Sequence, residues 1–339
     1  MSKAPRILVY ICTCNRYDTT LPMAMLSIIQ QTRKPDKIMI FDDSRDDAKK
    51  DPRKIEHLNY LFRLMDQKGI PWEWIWAKKL GAHHSHEMAN MAGFDLAWFI
   101  DDDCVAEPTC LEKLLWEMRD GVGAVGSLIL QPPAKPLPPG ITHNKIDDIV
   151  RCPNIQWFTW GGKPVEVEHI YSQFLYRCGI VHHDLNLSSV VFRGETMFTH
   201  SLYLKGYKLI VAPDAVTWHF QGKGGIHDGQ KAENWKHDDE YFRRWLAFKR
   251  SGERIYVLNN GLGDHYMFLQ AITPPPGSLI SCCYPDIFPP GYRLISIEAA
   301  KQLVNLEEYD VYKWCANRQW KGTLIEAFKA LYEDLHRSR

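Results

Sequence analysis

The stretch LAWFIDDDCVAEP, residues 96–108, runs five apolar residues into Asp101-Asp102-Asp103. The apolar run reads as a buried strand. Three adjacent carboxylates at its end repel one another where unpaired charge is costly, so a cation is expected opposite them. The plain alternative is a helix N-cap with surplus solvated charge, because Cys104-Val-Ala-Glu-Pro leads into helical spacing over Pro108–Arg119. For such a triplet alone the cap is the favoured reading; position after an apolar strand, together with the other segments read below, reverses that preference.

Outward from that stretch, RILVYIC (6–12) predicts a strand ending at Thr13-Cys14-Asn15-Arg16, and KIMIFDDS (37–44) another ending at Asp42-Asp43. WEWIWA (72–77) predicts a third, with helices expected over 20–31, 54–68 and the HSHEMAN segment before the fourth strand. Strands alternating with helices predict a mainly parallel sheet covered on both faces. Ligands in such sheets bind beyond the carboxyl ends of the strands. Thr13, Asp42, Asp43 and Asp101–Asp103 should therefore meet in one crevice.

Further along, GAVGSLIL (123–130) predicts a strand and the proline-rich 131–140 a stiff extended connection. WFTWGGKPVEV (157–167) reads as a hairpin and HDLNLSSVVFRGE (183–195) as strand into helix. YKLIVAPDAVTWHF (207–220) reads as two short strands around Pro213-Asp214, followed by a glycine-rich loop at 221–230 and a helix at 240–250. Composition changes near Ser251-Gly252, dividing the chain into domains 1–250 and 251–339. In the second, RIYVLNNGLGDHYMFLQAI (254–272) predicts strand, glycine turn and helix, with further strands at 278–285 and 292–297. TLIEAFKALYEDL (323–335) is an amphipathic helix with Thr323 and Glu326 as a capping box.

The 339 residues carry 41 basic and 41 acidic side chains and are 45% apolar. No global charge marks a nucleic-acid or membrane-surface binder. The nine cysteines fit neither a disulfide framework nor paired zinc motifs, so reduced thiols are expected. No apolar run approaches the ~20 residues that span a bilayer, and no secretory leader is recognisable. A cytoplasmic protein is expected.

Four pieces, VYICTCNR (9–16), IMIFDDSRDD (38–47), MAGFDLAWFIDDDC (91–104) and VVFRGE…LKGYKLIVAPDAVTWH (190–219), resemble in order and spacing a family-2-type glycosyltransferase with the GT-A nucleotide-sugar-binding fold. The resemblance implies an α/β, Rossmann-like, mainly parallel mixed sheet flanked by helices, with a small C-terminal α/β domain beyond it. It also implies a nucleotide-sugar donor, a UDP-hexose, whose diphosphate is bridged to the carboxylates by Mn2+ or Mg2+, cations that take hard oxygen ligands. Asp103 would ligate the metal, Asp101 would lie by the donor ribose or a metal-bound water, and His219 would be a further ligand. Asp102 is either a donor-side group or structural. Asp42 and Asp43 would hold base and ribose, with Thr13 and Arg16 lining the same pocket. The plain reading of Asp42-Asp43-Ser44 is an Asx turn.

Inverting relatives carry a Glu-Asp pair, its aspartate eleven residues before the glycine of a GYK-like strand. Here Gly206-Tyr207-Lys208 stands eleven residues after Glu195, a lone glutamate. Glu195 is thus the expected catalytic base and Asp184 the second candidate. The plain reading of Glu195 is a first-turn acid favoured by the helix dipole. Ser85-His86 stands where relatives often have Arg-Asn. The last ninety residues are similar, through Gly261-Leu262-Gly263-Asp264, to the opening of heptosyltransferase-like proteins, and a docking or homo-oligomer role is expected there.

The function expected is metal-dependent transfer of a hexose to an acceptor hydroxyl with inversion. Acceptors considered are a glycan, or DNA with hydroxymethylated bases, along the proline-rich segment, Trp157, Trp160 and Arg243–Arg250. That basic run also reads simply as a solvated helix face. A nucleotidyltransferase of similar fold is a second reading, although CTCNRYDTT lacks the glycine its loop needs. A catalytically inactive sugar-nucleotide-binding or assembly module is a third.

Overall fold

A computed structural model describes residues 4–44, 50–77, 81–131, 144–151, 162–227, 229–251, 255–300 and 306–336. Its contacts divide the chain into two compact units, Met1–Asp239 and Glu240–Arg339.

The larger unit opens with β1 (Ile7–Thr13), α1 (Leu21–Ile29), β2 (Lys37–Asp42), α2 (Glu56–Gln67), β3 (Trp72–Trp76), α3 (Ala82–Asn90) and β4 (Leu96–Phe99). These four strands run parallel, in the order β3-β2-β1-β4. Residues 7–11 of β1 alternate between two cores, and Thr13 at its end reaches the cavity described below. Ile7, Val9 and Ile11 pack with α1 and α2, while Leu8 and Tyr10 pack on the opposite face with Ala89 of α3. Burial on both faces is why these strands read as unbroken apolar runs rather than alternating ones.

Beyond β4 come β5 (Cys104–Ala106), α4 (Cys110–Glu117), β6 (Val122–Leu130), α5 (Ile146–Arg151), β7 (Val165–Val167), β8 (Phe174–Arg177), α6 (Gly194–Leu204) and β9 (Lys208–His219). Here β8 joins β4 and β6 antiparallel, so the sheet is mixed and continues β4-β8-β6-β9-β5, with β7 pairing the first half of β9. The aspartate triplet lies in the turn between β4 and β5, not on a helix cap. The segment 183–193 contains turns rather than the expected strand. Val191 and Arg193 have positive φ there, which no extended strand accepts.

Residues 208–219 form one strand instead of two. Its ladder with β6 jumps from Ser127↔Ala212 to Leu128↔Val216, so Pro213-Asp214-Ala215 is looped out as a bulge. Pro213 carries no N–H to offer the ladder, which suits it to that place. At the same point β9 changes its second neighbour from β7 to β5.

Helix α7 (Ala232–Ser251) straddles the division between the units. The smaller unit then has β10 (Ile255–Leu258), α8 (Leu262–Ala271), β11 (Leu279–Cys282), β12 (Arg293–Ile295), α9 (Ile297–Ala300), β13 (Leu306–Glu308), α10 (Val311–Arg318) and α11 (Leu324–His336). Its four strands are all parallel, ordered β12-β11-β10-β13. Thr323 and Glu326 exchange the hydrogen bonds of the expected capping box before α11. The eight described cysteines are free thiols. Among the described residues no helix is long and apolar enough to cross a membrane.

Candidate active site

The carboxyl ends of β1 and β4, the start of α6, the end of β9 and the loop after it surround a cavity of about 350 Å3. Thr13, Arg16, Asp43, Asp101, Asp102, Asp103, Glu195 and His219 all line it. Asp184 does not. Its carboxylate accepts from the backbone and side-chain N–H groups of Asn186 in a local turn. Asp42 is also turned away, since the neighbouring positions of a strand end face opposite sides. It is fully buried, accepting from Tyr17 Oη at 2.6 Å and from Ser44 N at 2.9 Å, the Asx turn considered from the sequence. The pair is split, and Asp43 alone reaches the cavity.

Each carboxylate of the triplet has a different set of partners. Asp101 accepts from Ser172 Oγ at 2.6 Å and Gln173 Nε2 at 2.5 Å, and its own N–H donates to Gln173 Oε1. Gln173 is held in the left-handed region, φ 53°, at the corner that enters β8. Asp102 accepts from Thr13 Oγ1 at 2.7 Å and pairs with Arg16 at 2.5 Å. Asp103 meets Arg16 at 2.9 Å, His219 Nε2 at 3.3 Å and the backbone N–H of Gly222 at 3.1 Å.

Arg16 is the hub. Its second terminal nitrogen donates to the carbonyls of Gly222 and Gly224, tying the glycine-rich loop to the acidic turn. A Cβ on Gly225, itself at φ 91°, would stand 2.8 Å from the guanidinium carbon, so a side chain there is strained by its backbone and would push Arg16 from its place.

Burial pushes Asp102 up to about 7, against the pull of Arg16. It raises Asp101 too, with Asp103 adding to the effect. On Asp103 burial acts the same way, but the hydrogen bond and charge of His219, then Arg16, outweigh it and hold the group below its usual range. His219 moves up correspondingly, burial opposing and Asp103 prevailing. Arg16 and His219 both lie against Asp103 while Asp101 and Asp102 stay raised, a cluster that an added cation would relieve.

Ligand atoms of Asp101, Asp103, Cys104 and His219 lie within 4.8 Å of one another. Two carboxylates and an imidazole suit Mn2+, and the carboxylates suit Mg2+. Burial raises the Cys104 thiol well above its ordinary value, and its soft sulfur suits a hard cation less well than the carboxylates do.

The cavity also has an aromatic lining that the sequence did not announce. Phe192 and Trp235 meet edge to face at 5.2 Å, and His227 stands 4.8 Å from Trp235. Glu195, also on the cavity lining, occupies the first turn of α6, with Oε1 3.6 Å from Nε2 of the buried His86. Trp157, Trp160 and nearly all of the proline-rich 131–140 lie outside the described residues. Arg243 and Arg244 are exposed on α7.

Residues 8–136 match the family model described as glycosyl transferase family 2. No curated protein matches the sequence. Among solved structures, TarS 1–349 of S. aureus in complex with UDP-GlcNAc is similar at 13% identity and TM-score 0.51, over 78% of this chain and 70% of that one. GalNAc-T7 with UDP, GalNAc and Mn2+ is similar at 14% identity and TM-score 0.51, over 73% of this chain. This chain spans 50% of the GalNAc-T7 chain. Identities this low establish the fold alone. The family match and the strand-end site fall on the same elements: residues 8–136 are similar to glycosyl transferase family 2, and the larger unit built around them has the GT-A fold.

Proposed function

We propose that the larger unit transfers a hexose from a nucleotide sugar, a UDP-hexose, to an acceptor hydroxyl with inversion. The observation that carries this reading is the gathering of Asp101, Asp103 and His219 within 4.8 Å of one another at a cavity that Glu195 also lines. Asp101, Asp103 and His219 would hold Mn2+ or Mg2+, which supplies several kcal/mol by neutralising the diphosphate as it leaves. The solved structures of like fold that contain UDP-GlcNAc, or UDP with Mn2+, support the same donor class.

The protein's own groups do the rest. Asp43, at the cavity edge, accepts from a base N–H or ribose hydroxyl. Asp102 is spent on Thr13 and Arg16, so its role is to fix Arg16 rather than to touch donor. Glu195 takes the proton of the acceptor hydroxyl as that oxygen bonds to the anomeric carbon and the bond to the diphosphate breaks, a contribution of about 10²–10⁴-fold. The glycine-rich loop, drawn in by Arg16, covers the acidic turn and keeps out water, the competing acceptor.

A thermal-shift screen tests donor and metal together. UDP and a panel of UDP-hexoses, with and without Mn2+, are expected to raise the melting temperature only when metal is present. Asp103→Ala is expected to abolish the shift. A nucleotide shift that is indifferent to Mn2+, or none at all, would overturn the metal reading.

A further inference from the structure

Tyr176 of β8 donates its hydroxyl to that of Tyr10 of β1 at 3.4 Å, and Tyr10 meets Nδ1 of His86 at 3.0 Å. Both tyrosines are fully buried, and burial lifts both phenols well above their ordinary value, so they keep their protons. A hydroxyl that accepts from one neighbour has its proton left for the other, so Tyr10 donates to Nδ1. With Nδ1 an acceptor, the ring proton sits on Nε2.

Nε2 faces the cavity, has no hydrogen-bond partner, and belongs to a side chain 1% exposed. The ring cannot swing away. Phe99 meets it edge-on at 4.4 Å, and His183 stacks on it at 5.2 Å while lying flat on Phe198 at 3.9 Å. The only carboxylate beside Nε2 among the described ion pairs is that of Glu195, at 3.6 Å.

Resting on the reading of Glu195 as the base, we propose that His86 is a positioning residue: its Nε2–H, set by the Tyr176–Tyr10 relay, closes on Oε1 of Glu195 and leaves the other carboxylate oxygen for the acceptor hydroxyl. The gap of 3.6 Å is longer than a hydrogen bond. Catalytic hydrogen bonds commonly tighten only when substrate fills the site. His86 itself moves no proton. Its value lies in holding one lone pair in place, and misplacing a reacting group by an ångström costs about 10²-fold.

Two measurements decide it. In the first, long-range 15N–1H NMR of histidine-labelled protein, with His86→Gln identifying the signal, is expected to show the Nε2-protonated tautomer. Tyr10→Phe is expected to mix the two tautomers. The reverse tautomer in the wild-type protein, or a Tyr10→Phe spectrum unchanged at His86, overturns the relay.

In the second, hydrolysis of UDP-GlcNAc with Mn2+ is followed alongside the melting temperature. His86→Ala is expected to lower kcat about 10- to 100-fold with donor KM unchanged. His86→Gln, whose amide nitrogen replaces Nε2, should recover most of that loss, and Tyr10→Phe, lacking one oxygen atom, should lose severalfold. Equal losses in His86→Ala and His86→Gln, or a loss carried by KM, overturn the positioning role. Glu195→Gln separates the two readings. Hydrolysis that survives Glu195→Gln overturns the base assignment and the positioning role with it. An inactive Glu195→Gln beside a fully active His86→Ala overturns the positioning role alone.

Discussion

At the carboxyl rim of the larger sheet, three aspartates share Arg16, His219 and a handful of neutral donors, and two of them are still raised by burial. At the same rim of the smaller sheet, the Asp264 carboxylate accepts from Gly261 N at 2.9 Å and from Tyr312 Oη at 2.8 Å. Beside it, His265 Nδ1 meets the Gly261 carbonyl and Nε2 accepts from Cys283 N. Both rims place polar side chains where strands of a parallel sheet end. One closes on itself and the other is left with more negative charge than its neighbours balance. A strand-end position is therefore only an opportunity. A surplus of charge with a cavity before it is what gives the rim chemistry.

The largest expected effect breaks the comparison directly. Asp103→Ala should cut metal-dependent donor hydrolysis by about 10³-fold, the loss of several kcal/mol of charge stabilisation. Asp264→Ala should leave that rate alone. Equal losses in the two variants would erase the distinction between the rims.

Next comes stability. Asp102→Ala strands a buried guanidinium, which costs about 3 kcal/mol, the low end for a broken buried pair because Arg16 keeps Asp103 and two carbonyls. Urea unfolding of the larger unit's transition measures it, and a change below about 1 kcal/mol would show that the pair holds little.

The pH dependence is smaller, with a defined sign. Burial, with His84 and His86 adding, pushes His83 down to about 4, and burial holds His183 well below its ordinary value. Such groups bind fewer protons folded than unfolded, so their share of stability is present above 6.5 and is lost as pH falls towards 4. The raised Asp101 and Asp102 act in the opposite sense, so the histidine share is the difference between wild type and His83→Gln. The stability of the wild type relative to His83→Gln should fall by on the order of 3 kcal/mol as pH falls through the window. A constant difference would contradict it.

The smallest effect sharpens the self-closed rim. Asp264→Ala should cost about 1 kcal/mol in the smaller unit, the ordinary worth of a helix cap, read as a lowered melting transition.

Much of this was legible in the chain. Buried parallel strands declare themselves as apolar runs, so β1, β2, β4 and β6 and the acidic ends of β2 and β4 could be found. Side-chain direction could not. Asp42 and Asp43 are equally acidic in sequence, and only the backbone shows that one feeds Tyr17 and Ser44 while the other meets the cavity. The Ser172-Gln173 corner, which secures Asp101, carries no local signal, because its partner lies seventy residues away and its left-handed backbone is occupied by glutamine rather than glycine. The expected strand before α6 fails for a related reason. Its apolar Val190-Val191-Phe192 suggests extended chain, whereas the turn positive at Val191 and Arg193 spends those side chains on the cavity wall.

The looped-out Pro213-Asp214-Ala215 has a consequence for anyone altering this protein. Three residues that skip the ladder leave the downstream half of β9 out of phase with the upstream half, and His219 lies downstream. The inward or outward fate of that imidazole is thus decided by an odd-numbered detour near the middle of the strand. Trimming one residue from the detour would turn the ring to the far side of the sheet if the pairs Leu128↔Val216 and Cys104↔His219 slipped by one residue with it.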